Sequence, residues 1–233
     1  MNSVAPASAI HRAHLAALVP FVLGAGMAIA CYAASGASLG LFFGPVLLVS
    51  LVAPALTLGE ETLRARLIAA AGVTLGIRLV WLFAGTINFR DALQCEIILA
   101  AWIFALTGFA TLLRTAGLPA AFASALSAAL ALAWLTWPVW LSHSLAGQSV
   151  PSWLTAPHPL LALNGVVLDR FNAWDRYELA YRDLTTLNQD ILYTMPVSVW
   201  PMFIVHAALG TAGFGIAQLR SRKIDTQSGS LRD

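Results

Sequence analysis

Charge is scarce in this sequence. Only 10% of its 233 residues are Asp, Glu, Lys or Arg, and the net charge is +2. A water-soluble domain carries about a quarter charged residues, because water must solvate its surface. A chain that is 59% hydrophobic, with mean hydropathy +0.76, cannot cover itself that way. So small a net charge argues against a nucleic-acid partner held through phosphates, and no basic stripe occurs outside the short tail. Cysteine is rare too. Cys31 and Cys95 are the only two, which excludes a disulfide framework and a CxxC metal site. A single disulfide stays open, but two buried free thiols are the simpler reading. Catalytic signatures are also missing. There is no P-loop, no HExxH and no GxSxG. No metal and no cofactor are expected, and no pattern favours an enzyme.

What the chain has is long apolar runs. Crossing a bilayer takes about 20 apolar residues at 1.5 Å each. Six stretches qualify: residues 15–34, 39–58, 67–85, 92–113, 118–141 and 195–218. The expected fold class is therefore all-α, a polytopic membrane helical bundle with six transmembrane helices. Residues 1–14 form a short N-terminal segment, 15–218 a single transmembrane domain, and 219–233 a polar tail expected to be disordered. Arg12, the apolar run after it and Ala28-Ile29-Ala30-Cys31 look like a signal peptide with a lipobox. The likeness is thin, since Ala28 stands where a lipobox has leucine, and the segment reads as the first span.

Lys and Arg placement sets the orientation. Arg12, Arg64, Arg66, Arg114, Arg220, Arg222, Lys223 and Arg232 fall on one side, and only Arg90, Arg170, Arg176 and Arg182 on the other. The expectation is a bacterial-type cytoplasmic membrane with both termini cytoplasmic. The long loop of residues 142–194 is then extracytoplasmic. Within it Leu160, Leu163, Val167, Phe171, Trp174, Tyr177, Tyr181, Leu184, Leu187 and Ile191 recur at steps of three or four, a helical stripe. One or two amphipathic helices are expected there, lying on the outer surface or dipping into the bundle mouth, with a break at Asn164-Gly165. Phe171, Trp174, Tyr177 and Tyr181 form an aromatic face suited to headgroup depth. A lid that only seals the bundle is the simpler reading of it.

Ionisable groups inside spans are the best pointers to function, because each is costly there. Arg78 lies in the third span and Glu96 in the fourth, both beneath the outer surface. Consecutive spans are antiparallel, so the two are expected to form an intramembrane ion pair. A structural pair that fixes the hairpin is the simpler reading; a gate or a polar anchor is the functional one. His206 sits mid-span in the last helix as a possible polar site. It has no second deep histidine for a bis-His haem, because His143 and His158 fall in the outer loop. Small residues, among them Gly24 and Gly26 in the first span and Gly210, Gly213 and Gly215 in the last, mark packing seams. There is no internal repeat.

The layout resembles that of ABC-2-type exporter permeases: similar length, six spans, both ends inside, and short amphipathic helices between the fifth and sixth. In that family the loop between the second and third spans docks a separate ATPase. Here Glu60, Glu61, Arg64 and Arg66 occupy that place as a possible coupling loop. The resemblance is one of topology. The segment before the first span is short for the family, and the loop carries no family motif. It implies a permease-type subunit working with a cytoplasmic ATPase, as a homodimer or beside a similar subunit, on a lipid-like substrate. The alternative is a non-catalytic membrane subunit of a respiratory, photosynthetic or secretion complex. An outer-surface enzyme would need His158, Asp169, Asp175 and Glu178 to converge, at a spacing that matches no known chemistry.

Overall fold

A computed structural model describes residues 7–35, 40–58, 63–84, 88–141, 144, 149–168, 192–193 and 196–229. It is mostly helical. Six long helices are α1 (Ala7–Ser35), α2 (Gly40–Leu58), α3 (Leu63–Phe83), α4 (Phe89–Thr115), α5 (Ala120–Trp140) and α8 (Trp200–Gly229). Between α5 and α8 lie two short helices, α6 (Ser152–Thr155) and α7 (Pro159–Leu163), and a π turn over Asn164–Leu168. Strands β1 (Ser149–Val150) and β2 (Leu192–Tyr193) pair in parallel, Ser149 opposite Leu192. Among the described residues five helices (α1, α3, α4, α5 and α8) are long and apolar enough to cross a membrane. The sequence count was six; the apolar stretch of α2, Leu41–Leu56, falls short of a full span by that measure.

Local chemistry sets several ends. Asn88 caps α4: its Oδ1 accepts from the Asp91 amide at 2.9 Å, and its Nδ2 donates to Asp91 Oδ2 at 2.9 Å. The turn from α4 to α5 passes through Gly117 at φ +97°, a left-handed conformation that costs glycine little. Two boundaries differ from expectation. Residues 60–66 were read as one polar break, yet α3 begins at Leu63, so Arg64 and Arg66 stand on its first turn. Arginine is a good helix former and its polarity does not end a helix. The tail from Arg220 was expected to be disordered, yet α8 runs on to Gly229.

Contacts between helices show their directions. Trp81 near the end of α3 donates from Nε1 to Leu41 O at the start of α2 at 2.8 Å. Cys31 near the end of α1 lies beside Gly44 of α2. Both α1 and α3 thus oppose α2 and run parallel to one another. Arg66 meets Thr111 and Arg78 meets Glu96, so α3 and α4 are antiparallel. Trp102 meets His206 and Gly108 meets Gly210, so α4 and α8 are parallel. One end of the bundle gathers Arg64, Arg66, Arg114 and Arg220. The other gathers Trp81, Trp137, Trp153 and Trp200.

Helix α4 is the centre. It packs on α2, α3, α5, α7 and α8, and Ile98, Leu99 and Ile103 have no exposed surface. Trp102 Nε1 donates to Ser50 Oγ at 2.7 Å, which donates to Val46 O at 2.7 Å, locking α2 onto α4. Two glycine seams carry the closest approaches. Gly24 of α1 meets the backbone of Val73, and Gly76 of α3 meets Phe21. At the second seam, a Cβ on Gly108 would lie 2.6 Å from Gly210 O. Small residues let backbones approach, and dispersion supplies the attraction that a hydrophobic solvent effect does not supply in lipid.

Gly108→Ala should therefore destabilise the bundle by about 1–3 kcal/mol through overpacking. Gly26 has open space around its would-be Cβ, so Gly26→Ala should stabilise by roughly 0.5–1 kcal/mol. Thermal unfolding of the two variants in one detergent measures the contrast; equal shifts would remove the seam.

Candidate functional site

Near the tryptophan end, the structure brings Arg78 of α3 and Glu96 of α4 together. Arg78 Nη1 lies 2.5 Å from Glu96 Oε2, and their side chains are 19% and 18% exposed. The Arg78 guanidinium also sits 5.0 Å from the Phe89 ring centroid, a cation–π contact. A charge-assisted bond in so apolar a setting stabilises both ions only while both are present.

His206 is 3% exposed. Its Nδ1 lies 2.9 Å from Met202 O, the carbonyl one turn back, so Nδ1 carries the proton and Nε2 is the acceptor. Its ring stands edge-on to Trp102, centroids 5.0 Å apart. His206 also lines a cleft of about 470 Å³ between α4, α5 and α8, with Trp102, Ser127, Trp134, Pro157, Leu209 and Ala212. The cleft exists because α5 and α8 each pack on α4 but hardly on each other. It is almost wholly apolar. Ser127 Oγ and Trp134 Nε1 are buried and have no hydrogen-bond partner among the described residues. Such groups cost free energy until something bonds to them.

His158 was placed in the outer loop by sequence; the structure buries it completely. It caps α7, its Nδ1 accepting from the Leu161 amide at 3.2 Å, and its Nε2 lies 3.1 Å from Trp134 O. Its ring fits between Trp134 and Trp137, at 5.7 and 5.8 Å. Burial pushes its pKa down to about 4, against the upward pull of the Trp134 and Leu135 carbonyls. The segment it opens dips into the bundle: Leu161, Ala162, Leu163 and Asn164 are buried, and α7 packs on α2 and α4. The expected break at Asn164-Gly165 is instead a π turn. Gly165 is needed there for close approach to the Pro196 backbone. Sequence reasoning missed this because a buried capping histidine and a solvated loop histidine look alike in a chain.

Other expected positions are scattered. Arg64 and Arg66 stand at the arginine end, far from Arg78. Glu60 and Glu61 lie outside the described residues, as do the aromatic face of Phe171, Trp174, Tyr177 and Tyr181 and the acidic residues Asp169, Asp175 and Glu178. Cys31 and Cys95 are both free thiols. Among the described residues no three His, Cys, Asp or Glu side chains group to hold a metal. Comparison with protein-family models, with curated proteins and with solved structures finds no match. The class that the fold defines is thus drawn from the chain itself: an apolar multi-helix bundle compatible with an integral membrane protein.

Two measurements probe this site. Arg78→Leu and Glu96→Leu should each destabilise the bundle, by at most the roughly 3–5 kcal/mol lost when one partner of a fully buried pair is removed, since this pair is part-buried. The swap Arg78→Glu with Glu96→Arg should recover most of it; no recovery in thermal unfolding would show that the pair does not stabilise the bundle. His158 contributes a pH dependence. Its folded pKa lies below its unfolded value of about 6.5, so the unfolded chain binds the extra proton between the two. Its stabilisation is full above pH 6.5 and falls away as pH drops toward 4. His158→Asn, which keeps a capping oxygen, should flatten the melting-temperature slope in that window.

Proposed function

We propose that the chain is the permease-type membrane subunit of a transporter for a hydrophobic, lipid-like substrate. The cleft between α4, α5 and α8 carries this reading. It is open along the side where α5 and α8 part, and it extends from Pro157 toward Leu112 and Ile216. That shape suits a long apolar molecule lying along the helices. Ser127 Oγ, Trp134 Nε1 and His206 Nε2 would meet the hydroxyl or carbonyl of its polar end.

Six crossings fit the same picture. Helices α1 and α3 run parallel, so the chain must return between them, and α2 is the element that returns. Its 19 residues rise about 28 Å against a hydrocarbon core of about 30 Å. An even number of crossings puts both termini on one side. The positive-inside bias makes that side cytoplasmic, in an inner membrane of bacterial type. The loop of residues 59–62 and the first turn of α3 then face the cytoplasm, where a separate ATPase would dock. A second copy or a similar subunit would complete the transporter.

What co-purifies with the full chain in mild detergent tests the proposal. An ATP-hydrolysing partner is expected, and joint alanine substitution of Glu60, Glu61, Arg64 and Arg66 should release it. Ala212→Trp, which fills the exposed side of the cleft, should keep the partner but abolish stimulation of ATP hydrolysis by lipid. Recovery with cofactor-bearing subunits instead would assign the chain to a respiratory, photosynthetic or secretion complex and overturn the permease reading.

A further inference from the structure

Helical hydroxyls in this chain have a common arrangement. Ser50, Thr107, Thr111 and Thr136 each donate to the carbonyl one turn back at 2.7 Å. That local bond is the usual outlet for a hydroxyl inside an apolar helix. Ser127 of α5 departs from it. Ser127 has no exposed surface, it lines the cleft between α4, α5 and α8, and its Oγ has no hydrogen-bond partner among the described residues. The tryptophans show a similar contrast. Trp81 and Trp102 give their Nε1 protons to Leu41 O and Ser50 Oγ. Trp134 lines the cleft, and its buried Nε1 donates to nothing among the described residues. On the facing helix, His206 turns Nδ1 onto Met202 O, which leaves Nε2 as an acceptor on the same cleft.

These three groups specify what would satisfy them. Trp134 Nε1 only donates, His206 Nε2 in this tautomer only accepts, and Ser127 Oγ does either. An ether, ester or ketone oxygen answers Trp134 and Ser127 but leaves His206 unmet. A hydroxyl both accepts and donates, so it has something to offer each of them. Depth bears on charge. Ser127 stands seven residues into α5 and His206 six residues into α8, so each is about 10 Å of rise from its helix start. Those two starts lie at opposite ends of the bundle. An ionised headgroup drawn that far below either surface would be costly. Arginines face a separate cavity of about 560 Å³ between α3, α4 and α8, where Arg66 and Arg114 form part of the lining. The cleft, at about 470 Å³, has the size of sites that hold one small molecule.

We infer that the cleft takes an uncharged lipid alcohol, a long apolar molecule whose hydroxyl is recognised by Ser127, Trp134 and His206. The inference rests on the reading of this cleft as the ligand's place. It goes beyond that reading in selecting a hydroxyl over a carbonyl and over a charged headgroup.

The test uses the full chain, delipidated in mild detergent, and three probes built on one skeleton: farnesol, its methyl ether and the hydrocarbon farnesene. Retention on the protein is measured against empty micelles. Farnesol is expected to bind about fivefold or more tighter than the ether, the loss expected when a buried acceptor goes unmet, and farnesene to bind weakest. Ser127→Ala removes an unsatisfied hydroxyl, so it should leave the ligand-free melting temperature unchanged or raised while lowering farnesol affinity. His206→Phe keeps a ring against Trp102 and should erase the preference for farnesol over the ether. Trp134→Phe should weaken both oxygen-bearing probes alike. Equal binding of farnesol and the ether, a preference that survives His206→Phe, or farnesol affinity that Ser127→Ala leaves unchanged would overturn the inference; if Ala212→Trp still blocks retention, the cleft remains the ligand's place. A preference that His206→Phe erases, in a chain whose lipids never stimulate ATP hydrolysis, would support the inference and sink the transport reading. No retention of any probe, or retention indifferent to Ala212→Trp, would overturn both.

Discussion

The backbone contact between α4 and α8 shapes the half of the molecule where its cavities lie. Gly108 faces Gly210 and Gly213 with no side chain between them, so α8 is drawn tightly onto α4. Held there, α8 cannot also close on α5, and the apolar cleft is left on that side. The same contact sets Phe104 against Phe214 and opens the arginine-lined cavity on the α3 side. Larger residues at these three positions would push α8 outward and change both cavities together.

Charge is distributed around that seam with a clear division. Toward the tryptophan end Arg78 pairs with Glu96, and the buried Asp91 carboxylate accepts a hydrogen bond from its capping Asn88. At the arginine end positive charge accumulates, with Arg66 held by a threonine hydroxyl. A low-dielectric bundle tolerates the first arrangement as structure.

Much of the fold was legible in sequence because lipid imposes a simple rule. Every backbone polar group must be paired within its own segment, so apolar runs become helices and their lengths can be counted. The Arg78–Glu96 juxtaposition was legible for a related reason: consecutive antiparallel spans put similar depths side by side. The start of α3 was misread because Arg64 and Arg66 looked like a loop, although polarity only marks where lipid ends. The seams were half legible. Gly24, Gly210 and Gly213 stood out among small residues, while their partners were not picked out: Gly76 closes a Gly72-x3-Gly76 pair behind Ala69-Ala70-Ala71, and Gly108 has no second glycine near it.

Composition and the lengths of the apolar runs alone determined that this chain is helical, apolar and compatible with a membrane solvent, since those properties are local and additive along the chain. Tertiary structure decided which helices touch. It buried His158 between two tryptophans, turned residues 159–168 into the bundle, parted α5 from α8, and set Arg66 beside Arg114 across a distance of 48 positions in sequence. Those features depend on pairwise packing between distant segments, where a single glycine facing another decides whether a cavity opens or closes.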